Sequence, residues 1–365
     1  MNPHLIVIGG GIVGAALAAT AAESEFGVTL IESALPSMGA TGAGMGHLVV
    51  LDDALLALSA RSLELWREIQ DRAGTGYRNT GTIWIAETEA DLPGLKQQSL
   101  DLAACAVASR LLDHRELHAL EPELAHDLPG GLLVPGDATV YAPKAVAHLL
   151  DRARRAGGRL LLGQTVATLT EGGIRLAGGE RLAGLVVVAT GASVPRLLPE
   201  LPITPRKGHL VVTERAATTI HHQLVEAGYL KGVHGTDEAS VAMNVQPRPG
   251  GQLLIGSSRE SGNCDPGVSD PLVARMLMRA FRFLPSLRER RAIRIWTGFR
   301  PATPDGLPYI GQVPGRPGVW AALGHEGLGI TTALGTAELL VDLLRNRPTR
   351  LDPAPFDPAR ALFAS

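Results

Sequence analysis

Cysteine is scarce in this sequence, which has only Cys105 and Cys264 among its 365 residues. Two cysteines cannot build a disulfide framework or a cysteine-rich metal site, so we expect ordinary core or surface roles for both and no bound metal. Charge of one sign is not in excess either. The formal net charge of -2 argues against nucleic acid or an anionic membrane surface as the main partner.

Long apolar runs without charges are also lacking, and none reaches the length of a transmembrane helix. The first predicted strand begins within a few residues of Met1, which leaves no room for a signal peptide. We therefore expect a soluble, cytoplasmic protein. What the sequence does have is apolar content, 45% against 19% charged residues, which allows a large core in two domains or in one domain with an insertion.

The most informative stretch runs from residue 5 to residue 32. An apolar run at 5–8 meets Gly9, Gly11 and Gly14 in G-x-G-x-x-G spacing, and an alanine-rich segment and a second apolar run ending at Glu32 follow. This is the order of a dinucleotide-binding strand–helix–strand unit. The glycines allow a tight turn, close approach of a pyrophosphate to the backbone and packing of the helix on the strand. A carboxylate at the end of the second strand can accept hydrogen bonds from ribose hydroxyls.

The rest of the chain predicts a split arrangement around this unit. Small residues dominate 37–47, which predicts a loop rather than a helix and suits close approach to a flat ligand. Residues 89–120 are predicted to be helical, and the alternation between 205 and 258 predicts antiparallel strands. We expect an α/β fold with a Rossmann-like cofactor domain from 1–75, 142–204 and 296–365, and an inserted, mainly antiparallel β-sheet domain with helices from 76–141 and 205–295.

Three further motifs accompany the first. Residues 189–192 (ATGA) end a buried-type strand in a tight turn of small residues. Residues 298–311 (GFRPATPDGLPYIG) hold one arginine in a loop fixed by prolines. Residues 324–335 (GHEGLGITTALG) lead from the last predicted strand into the last predicted helix, whose free N–H groups can stabilise electron-rich oxygens of a ligand ring.

With these four motifs in this order, the chain resembles the FAD-dependent amino-acid oxidoreductases, the family of D-amino-acid oxidase, glycine oxidase and sarcosine oxidase, over nearly its whole length. Residues 45–50 (MGHLVV) and 244–248 (NVQPR) look most similar to the flavin subunits of D-hydroxyproline or proline dehydrogenases. The resemblance implies FAD rather than NAD, with a substrate domain over the flavin. Neither cysteine lies in a matching attachment motif, so we expect FAD to be bound noncovalently.

The motifs and the resemblance together nominate residues that contact FAD along the whole chain. They are Gly9, Gly11, Ile12, Val13, Gly14, Glu32, Ser33, Thr41, Gly42, Met45, Gly46, His47, Val166, Ala189, Thr190, Gly191, Arg300, Gly324, His325, Gly327, Leu328, Gly329, Ile330 and Thr331. In this scheme His47 borders the flavin ring, where it tunes the flavin or contacts the substrate. The alternative is an ordinary hydrogen-bonded histidine.

The resemblance places Arg300 on the substrate carboxylate, and a guanidinium fork suits that role. The alternative is that Arg300 pairs with Asp305 or another structural acid. Asn244 stands where glycine oxidase has a tyrosine, and Arg259 stands where the family has a methionine, so we expect a more polar substrate pocket, unless Arg259 only ends a solvated strand. These residues and His47 are the candidate substrate contacts. We nominate no catalytic base, because hydride transfer to a flavin needs positioning rather than proton transfer.

Two basic features have open interpretations. Lys207 lies in a segment that is usually structural in the family, but a lysine near the flavin can also promote reaction with oxygen. The arginines at 288, 290, 291 and 294 predict either a solvated helix end or a surface for docking a partner.

The expected function is FAD-dependent oxidation of a small amino acid to its imino acid, by hydride transfer from the α-carbon to flavin N5. A cyclic secondary or D-amino acid such as D-hydroxyproline or D-proline is favoured. One alternative is a glycine- or sarcosine-type oxidase that uses O2, and another is a flavin subunit that is inactive without electron-accepting partner subunits. An NAD-dependent dehydrogenase is disfavoured by the split cofactor domain, and a binding module without activity is the least supported.

Overall fold

The structure is a computed structural model that describes residues 3–50, 54–69, 74–217, 220–228 and 239–363. In these ranges the α-helices are α1 (Ile12–Glu23), α2 (Ala40–Ala43), α3 (Leu56–Glu68), α4 (Leu92–Ala104), α5 (His114–Leu120), α6 (Ala142–Arg155), α7 (Asp270–Phe283) and α8 (Gly329–Leu344). Short 3-10 helices lie at Glu89–Asp91, Gly191–Arg196, Pro285–Glu289, Glu326–Leu328, Ala354–Phe356 and Pro358–Phe363.

The strands of the same ranges form two large and two small sheets. In chain order they are β1 (His4–Ile8), β2 (Gly27–Glu32), β3 (His47–Leu48), β4 (Thr82–Ala86), β5 (Arg110–Asp113), β6 (Gly130–Val134), β7 (Ala138–Thr139), β8 (Arg159–Leu162), β9 (Val166–Thr170), β10 (Gly173–Leu176), β11 (Arg181–Ala183), β12 (Leu185–Val188), β13 (Thr204–Thr213), β14 (Gln223–Glu226), β15 (Ala239–Pro247), β16 (Leu253–Ser261), β17 (Ala292–Ala302), β18 (Tyr309–Gln312) and β19 (Val319–Leu323).

A six-stranded sheet carries the glycine turn that follows β1. Its strand order is β18-β19-β12-β1-β2-β8, with β1 parallel to β2 and β12 and with β18 antiparallel at one edge. The apolar residues of β1 are buried, as in parallel strands that are covered on both faces. The alanine-rich α1 packs against α6 and α8. This is the doubly wound arrangement that the first motif predicts, and it places the glycine turn at the carboxyl end of the central strand.

An eight-stranded sheet forms the other half of the molecule. Its order is β17-β13-β16-β15-β14-β4-β6-β5, and its neighbours are antiparallel except for the parallel pair β14–β4. The helix α7 packs on it through Val273, Met276, Ala280 and Phe283, which share a buried core with strand residues such as Ile255. The antiparallel sheet expected between 205 and 258 is therefore confirmed.

Three local expectations are wrong. The segment 37–47 contains one helical turn, α2, whose Gly42 lies so close to the backbone of Ser37 that a Cβ would be 2.2 Å from its oxygen. The segment 89–120 is interrupted by β5, because Arg110–Asp113 pairs with β6. Arg294 lies on β17 rather than at a helix end. The last two outcomes depend on strand partners distant in sequence, which local periodicity does not reveal.

The division into two domains stays a prediction. The six-stranded sheet draws its strands from 1–75, 142–204 and 296–365, whereas β17 crosses the expected boundary at residue 296 and β13 begins at Thr204, one residue before the other boundary. By length and composition, one stretch of the described chain, Glu326–Leu344, could cross a membrane, with a mean hydropathy of 1.4. Because 61% of it is buried inside the protein, as in a core helix, it is weak evidence for a membrane span.

Candidate active site

A large cavity of about 950 Å³ is lined by residues from both large sheets. From the six-stranded sheet come the glycine turn after β1, the end of β2 and the turn after β12. From the eight-stranded sheet come side chains of β13, β15, β16 and β17. The cavity also meets the chain between β19 and α8. All four sequence motifs therefore converge on one space.

The dinucleotide end of the cavity is built from very close backbone contacts. Gly9 has φ +116°, and a Cβ there would lie 2.4 Å from the carbonyl oxygen of Ala189. Gly11 lines the cavity at the start of α1, where the Ile12 N–H donates to Thr41 Oγ1 at 3.1 Å. A glycine turn that leads into a helix N-terminus presents backbone N–H groups to an anionic ligand.

Glu32 closes this end of the cavity. Its carboxylate accepts the Gly10 N–H at 2.6 Å and the Ala34 N–H at 2.8 Å, which fixes the side chain at the end of β2. Glu32 and Ser33 both line the cavity. These bonds hold the carboxylate at the end of β2, where a ribose contact is predicted. Its remaining lone pairs can accept hydrogen bonds from ribose hydroxyls.

Most of the predicted cofactor residues line the cavity. Those that do are Gly9, Gly11, Ile12, Val13, Glu32, Ser33, Thr41, Met45, Gly46, His47, Val166, Ala189, Thr190, Gly191, Arg300, Gly324, His325, Gly327, Leu328, Gly329 and Ile330. Three predicted residues lie behind the cavity wall. Gly14 packs on the backbone of Gly9, Gly42 packs on that of Ser37, and the hydroxyl of Thr331 bonds the backbone of His47 and Val49.

Arg300 crosses the eight-stranded sheet in a slot made by glycine. A Cβ on Gly208 would lie 2.5 Å from Arg300 Nη1, and one on Gly327 would lie 3.6 Å from its Cδ. Arg300 Nη1 donates to the Ser258 carbonyl at 3.0 Å. Asp305, one alternative partner of Arg300, accepts instead from Arg360 Nε at 2.7 Å. Another acid, Glu326, lies near enough for the charge of Arg300 to lower its pKa. The guanidinium is thus positioned by backbone and small residues on the cavity wall.

Two more arginines and a glutamate surround this position. Arg206 is the cross-strand partner of Arg300, and Arg259 lines the cavity from β16 with 6% of its surface exposed. Glu326 Oε1 lies 3.5 Å from Arg206 Nη1 and 3.8 Å from Arg259 Nε. Burial raises the pKa of Glu326, but the arginines Arg259, Arg300 and Arg206 and its hydrogen bond from Gly327 outweigh burial and leave the pKa below its usual value. Glu326 is therefore an ionised carboxylate among three guanidinium groups.

Asn244 ends a chain of side-chain hydrogen bonds, which we call the amide relay. Arg248 Nη1 donates to Gln246 Oε1 at 2.7 Å, Gln246 Nε2 donates to Gln223 Oε1 at 2.8 Å, and Gln223 Nε2 donates to Asn244 Oδ1. A guanidinium has no acceptor, so Arg248 fixes the direction of every bond in the relay. The oxygen of Asn244 is used within the protein, and its Nδ2 is the group that can donate to a ligand in the cavity.

Two histidines of the cavity are neutral. Burial lowers the pKa of His47 to about 3, and its Nε2 bonds Thr82 Oγ1 at 2.9 Å. Burial likewise lowers the pKa of His325 to about 3, and its Nε2 bonds Thr336 Oγ1 at 3.0 Å. Both side chains therefore hold the chain around the cavity through neutral hydrogen bonds at ordinary pH.

Several cavity residues were not predicted from the sequence. Arg206 and Glu326 are the most important, and Arg196, Gln164 and Ser257 also line the wall. Glu326 belongs to the motif at residues 324–335, and its φ of +46° is uncommon for a residue other than glycine. Lys207 is buried with Nζ 3.9 Å from Glu260 Oε1, and it does not line the cavity, whereas its neighbours Arg206 and Gly208 do.

Comparison with known proteins agrees with this geometry. Glycine oxidase of Geobacillus kaustophilus is 30% identical over 374 residues, which cover 97% of this chain and 96% of that protein. Its crystal structure superposes with a TM-score of 0.85 at 29% identity and covers 98% of each chain. D-amino acid dehydrogenase of Methylobacterium nodulans is 29% identical over 329 residues, 85% of this chain and 75% of that one. The crystal structure of L-proline dehydrogenase from P. horikoshii superposes with a TM-score of 0.91 and covers 100% of this chain and 99% of that chain. At 22% identity this similarity shows a shared fold only.

The fold and the cavity define a dinucleotide-dependent oxidoreductase of amino acids. More specifically, the chain belongs to the DAO family of FAD-dependent oxidoreductases, whose family model matches residues 4–343. The cofactor is thus FAD, and the NAD alternative and the binding module without activity are excluded. The residues present fit FAD: a side chain on Gly9 would collide with the backbone, and Thr190 Oγ1 is buried at the cavity without a hydrogen-bond partner in the described residues.

Proposed function

We propose that this protein oxidises a small amino acid to its imino acid, with Arg300 binding the substrate carboxylate. Membership of the family establishes FAD-dependent amino-acid oxidation, and the identity of the substrate is the step that we add. Within this class the sequence favours a cyclic secondary or D-amino acid such as D-hydroxyproline or D-proline.

The observation that carries the proposal is the slot around Arg300. A guanidinium that lies over Gly208 and is anchored by one N–H to Ser258 still has donors for a carboxylate in the cavity. The oriented Nδ2 of Asn244 supplies a second donor from the same sheet. Two such donors fix a small carboxylate in one orientation, and positioning is most of what this reaction requires.

The remaining residues bind, orient and exclude water. The turn at Gly9 and Gly11 with α1, together with Glu32, would hold the dinucleotide part of noncovalent FAD, and the chain from Gly324 to Ile330 would border its ring system. When bound, FAD supplies hydride acceptance from the substrate α-carbon. No side chain is assigned as a catalytic base, because the neutral amine of the substrate stabilises the imine through its own lone pair.

The test is anaerobic bleaching of the flavin in the purified holoenzyme. We expect at least one of glycine, sarcosine, D-alanine, D-proline, D-hydroxyproline, D-aspartate and D-glutamate to reduce it, and Arg300→Met to raise the half-saturating concentration strongly while the flavin spectrum is retained. If Arg300→Met binds that amino acid as wild type does, the assignment of Arg300 is wrong. If no amino acid bleaches the flavin, the proposed substrate class is wrong.

Two electron acceptors are compatible with this proposal. The names of the relatives include both an oxidase and a dehydrogenase. Admitting air to the bleached enzyme separates them, because rapid recolouring indicates transfer to O2 and slow recolouring indicates electron-accepting partner subunits. Location in the cytoplasm stays a prediction.

A further inference from the structure

The hydroxyl of Ser257 lies at the cavity wall without a hydrogen-bond partner in the described residues. Ser257 belongs to β16, and 3% of its surface is exposed. A hydroxyl that is buried without a hydrogen bond lowers the stability of the folded protein, and native proteins leave few side chains in this state. At the wall of a ligand cavity the hydroxyl is available to a polar atom of the ligand, because rotation about the Cα–Cβ bond turns it toward that atom.

The neighbouring serine has a different environment. Ser258 Oγ accepts the backbone N–H of His209 at 2.9 Å and lies 2.9 Å from Nδ1 of the same histidine, which is fully buried and outside the cavity. Successive side chains of a strand point to opposite faces, so Ser258 faces away from the cavity and Ser257 faces it. The hydroxyl of Ser258 therefore serves the fold, whereas that of Ser257 is directed to the ligand.

Arg300 approaches Ser257 from one side. A Cβ on Gly208 of β13 would lie 2.5 Å from Arg300 Nη1, and the same nitrogen donates to the carbonyl oxygen of Ser258 at 3.0 Å. The sheet order is β17-β13-β16-β15, so the guanidinium extends from β17 over β13 to β16. It therefore ends at the backbone of the residue that follows Ser257.

Asn244 approaches Ser257 from the other side. Asn244 lies on β15 opposite Gly256, the residue that precedes Ser257 on β16. Its Oδ1 is held by the amide relay, and its Nδ2 is the group that can donate to a ligand in the cavity. A carboxylate that receives both Arg300 and Asn244 is therefore expected to lie over β16 at the position of Ser257.

The number of donors fits one carboxylate. The two oxygens of a carboxylate offer about four lone-pair sites. Arg300 can supply two parallel N–H groups beside its bond to Ser258, and Asn244 supplies one. One lone-pair site remains, and the O–H of Ser257 is a donor placed between the other two residues.

We propose that the hydroxyl of Ser257 donates a hydrogen bond to the substrate carboxylate, together with Arg300 and Asn244, so that the site selects a free carboxylate over its amide. This inference rests on the proposed function and adds a specificity-determining residue to the same site. The oxidation is unchanged, because Ser257 contacts a group that does not react. An amide in place of the carboxylate would turn an N–H group toward one of these donors and leave both without an acceptor.

Anaerobic flavin reduction of the holoenzyme tests the proposal. Each amino acid that reduces the wild-type flavin is compared with its carboxamide, for example D-proline with D-prolinamide and D-alanine with D-alaninamide. In Ser257→Ala the half-saturating concentration of the acid should rise about tenfold or more, the size of effect expected of one hydrogen bond to a charged group. The half-saturating concentration of the amide should rise less, and the limiting rate of reduction by the acid should change far less than its half-saturating concentration.

The holoenzyme without substrate supplies an independent measurement. Because the hydroxyl of Ser257 has no partner in the described residues, its removal in Ser257→Ala should leave the thermal midpoint unchanged or higher. Ser257→Cys is a second variant, which should also lose affinity for the acid, because a thiol is only a weak donor. If Ser257→Ala does not retain FAD, Ser257→Cys decides the question.

Thr80→Val is the matched control. It removes another buried hydroxyl that lacks a hydrogen-bond partner in the described part of the chain, at a position outside the cavity. It should keep the wild-type half-saturating concentrations of both the acid and the amide.

The outcomes separate this inference from the proposed function. If Ser257→Ala or Ser257→Cys binds the acid as wild type does, the hydroxyl does not contact the carboxylate, and amino-acid oxidation stands. A lower thermal midpoint without substrate, with equal losses of affinity for acid and amide, means that the hydroxyl serves the fold and also overturns the inference. If no amino acid reduces the flavin, the proposed function fails and this inference fails with it.

Discussion

Replacing Gln223 by glutamate is predicted to weaken substrate binding without changing any residue assigned to contact the substrate. In the amide relay, Gln223 accepts from Gln246 and donates to Asn244. An ionised carboxylate at position 223 can still accept from Gln246 but cannot donate. The Oδ1 of Asn244 would then face another acceptor. We expect the amide of Asn244 to rotate so that its Nδ2 donates to the new carboxylate, which leaves Oδ1 rather than Nδ2 facing the substrate carboxylate.

The size of the effect follows from the bond that is lost. A hydrogen bond from an amide N–H to a carboxylate contributes about 1.5–3 kcal/mol, so KM is expected to rise by roughly 10- to 150-fold. Because Asn244 holds the carboxylate in the ground state and in the transition state alike, kcat should change far less than KM.

The pH dependence identifies the cause. Gln223 is fully buried, and burial raises the pKa of a carboxyl introduced there. Below that pKa the neutral carboxyl can donate again and restore the relay, so KM should return toward wild type as pH falls. Gln246→Glu should also raise KM, but without this recovery, because Arg248 beside it stabilises the ionised form.

Gln98→Glu is the matched control, since Gln98 is 3% exposed on α4 and lies outside the cavity. It should leave KM unchanged even if it lowers the thermal midpoint. The reasoning is refuted if Gln223→Glu binds substrate as wild type does at alkaline pH. It is equally refuted if its KM stays raised at every pH while the variant remains folded and binds FAD.

Three further predictions follow from the same geometry. Gly208→Ala should raise KM tenfold or more with little loss of stability, because its Cβ displaces the flexible end of Arg300 rather than the backbone; steady-state kinetics and thermal melting check this. The pKa of His325 is about 3 in the folded protein against 6.5 in the unfolded chain, so the wild type should lose stability as pH falls below about 6.5. Over that range the free energy of unfolding of His325→Gln should fall by up to about 1.4 kcal/mol less per pH unit than that of the wild type, which thermal melting at a series of pH values measures. Burial raises the pKa of Asp137 to about 7 despite bonds from Thr82 and Val50, so its contribution to stability falls as pH rises from about 4 to 7, and Asp137→Asn should raise the thermal midpoint more at pH 8 than at pH 5.

The dinucleotide end of the site was predictable because its signal is local. Gly9, Gly11 and Glu32 lie within one strand–helix–strand unit, and their roles depend on spacing within that unit. The four motifs also predicted Arg300 and the loop before α8. Among the elements that they did not predict are β5 and β14, two short strands whose existence depends on neighbours far along the chain.

The substrate end depends on register, and register is what a sequence alone does not supply. Once Arg206 is known to pair with Arg300 across β13 and β17, the alternation of side chains puts Arg206 on the cavity face and Lys207 on the opposite face. The same holds for the amide relay, which exists because Gln223 on β14 lies diagonal to Asn244 and opposite Gln246 on β15. The polar residues of each strand can be identified from the sequence. Which of them face the cavity together is known only when the pairing and register of the strands are known.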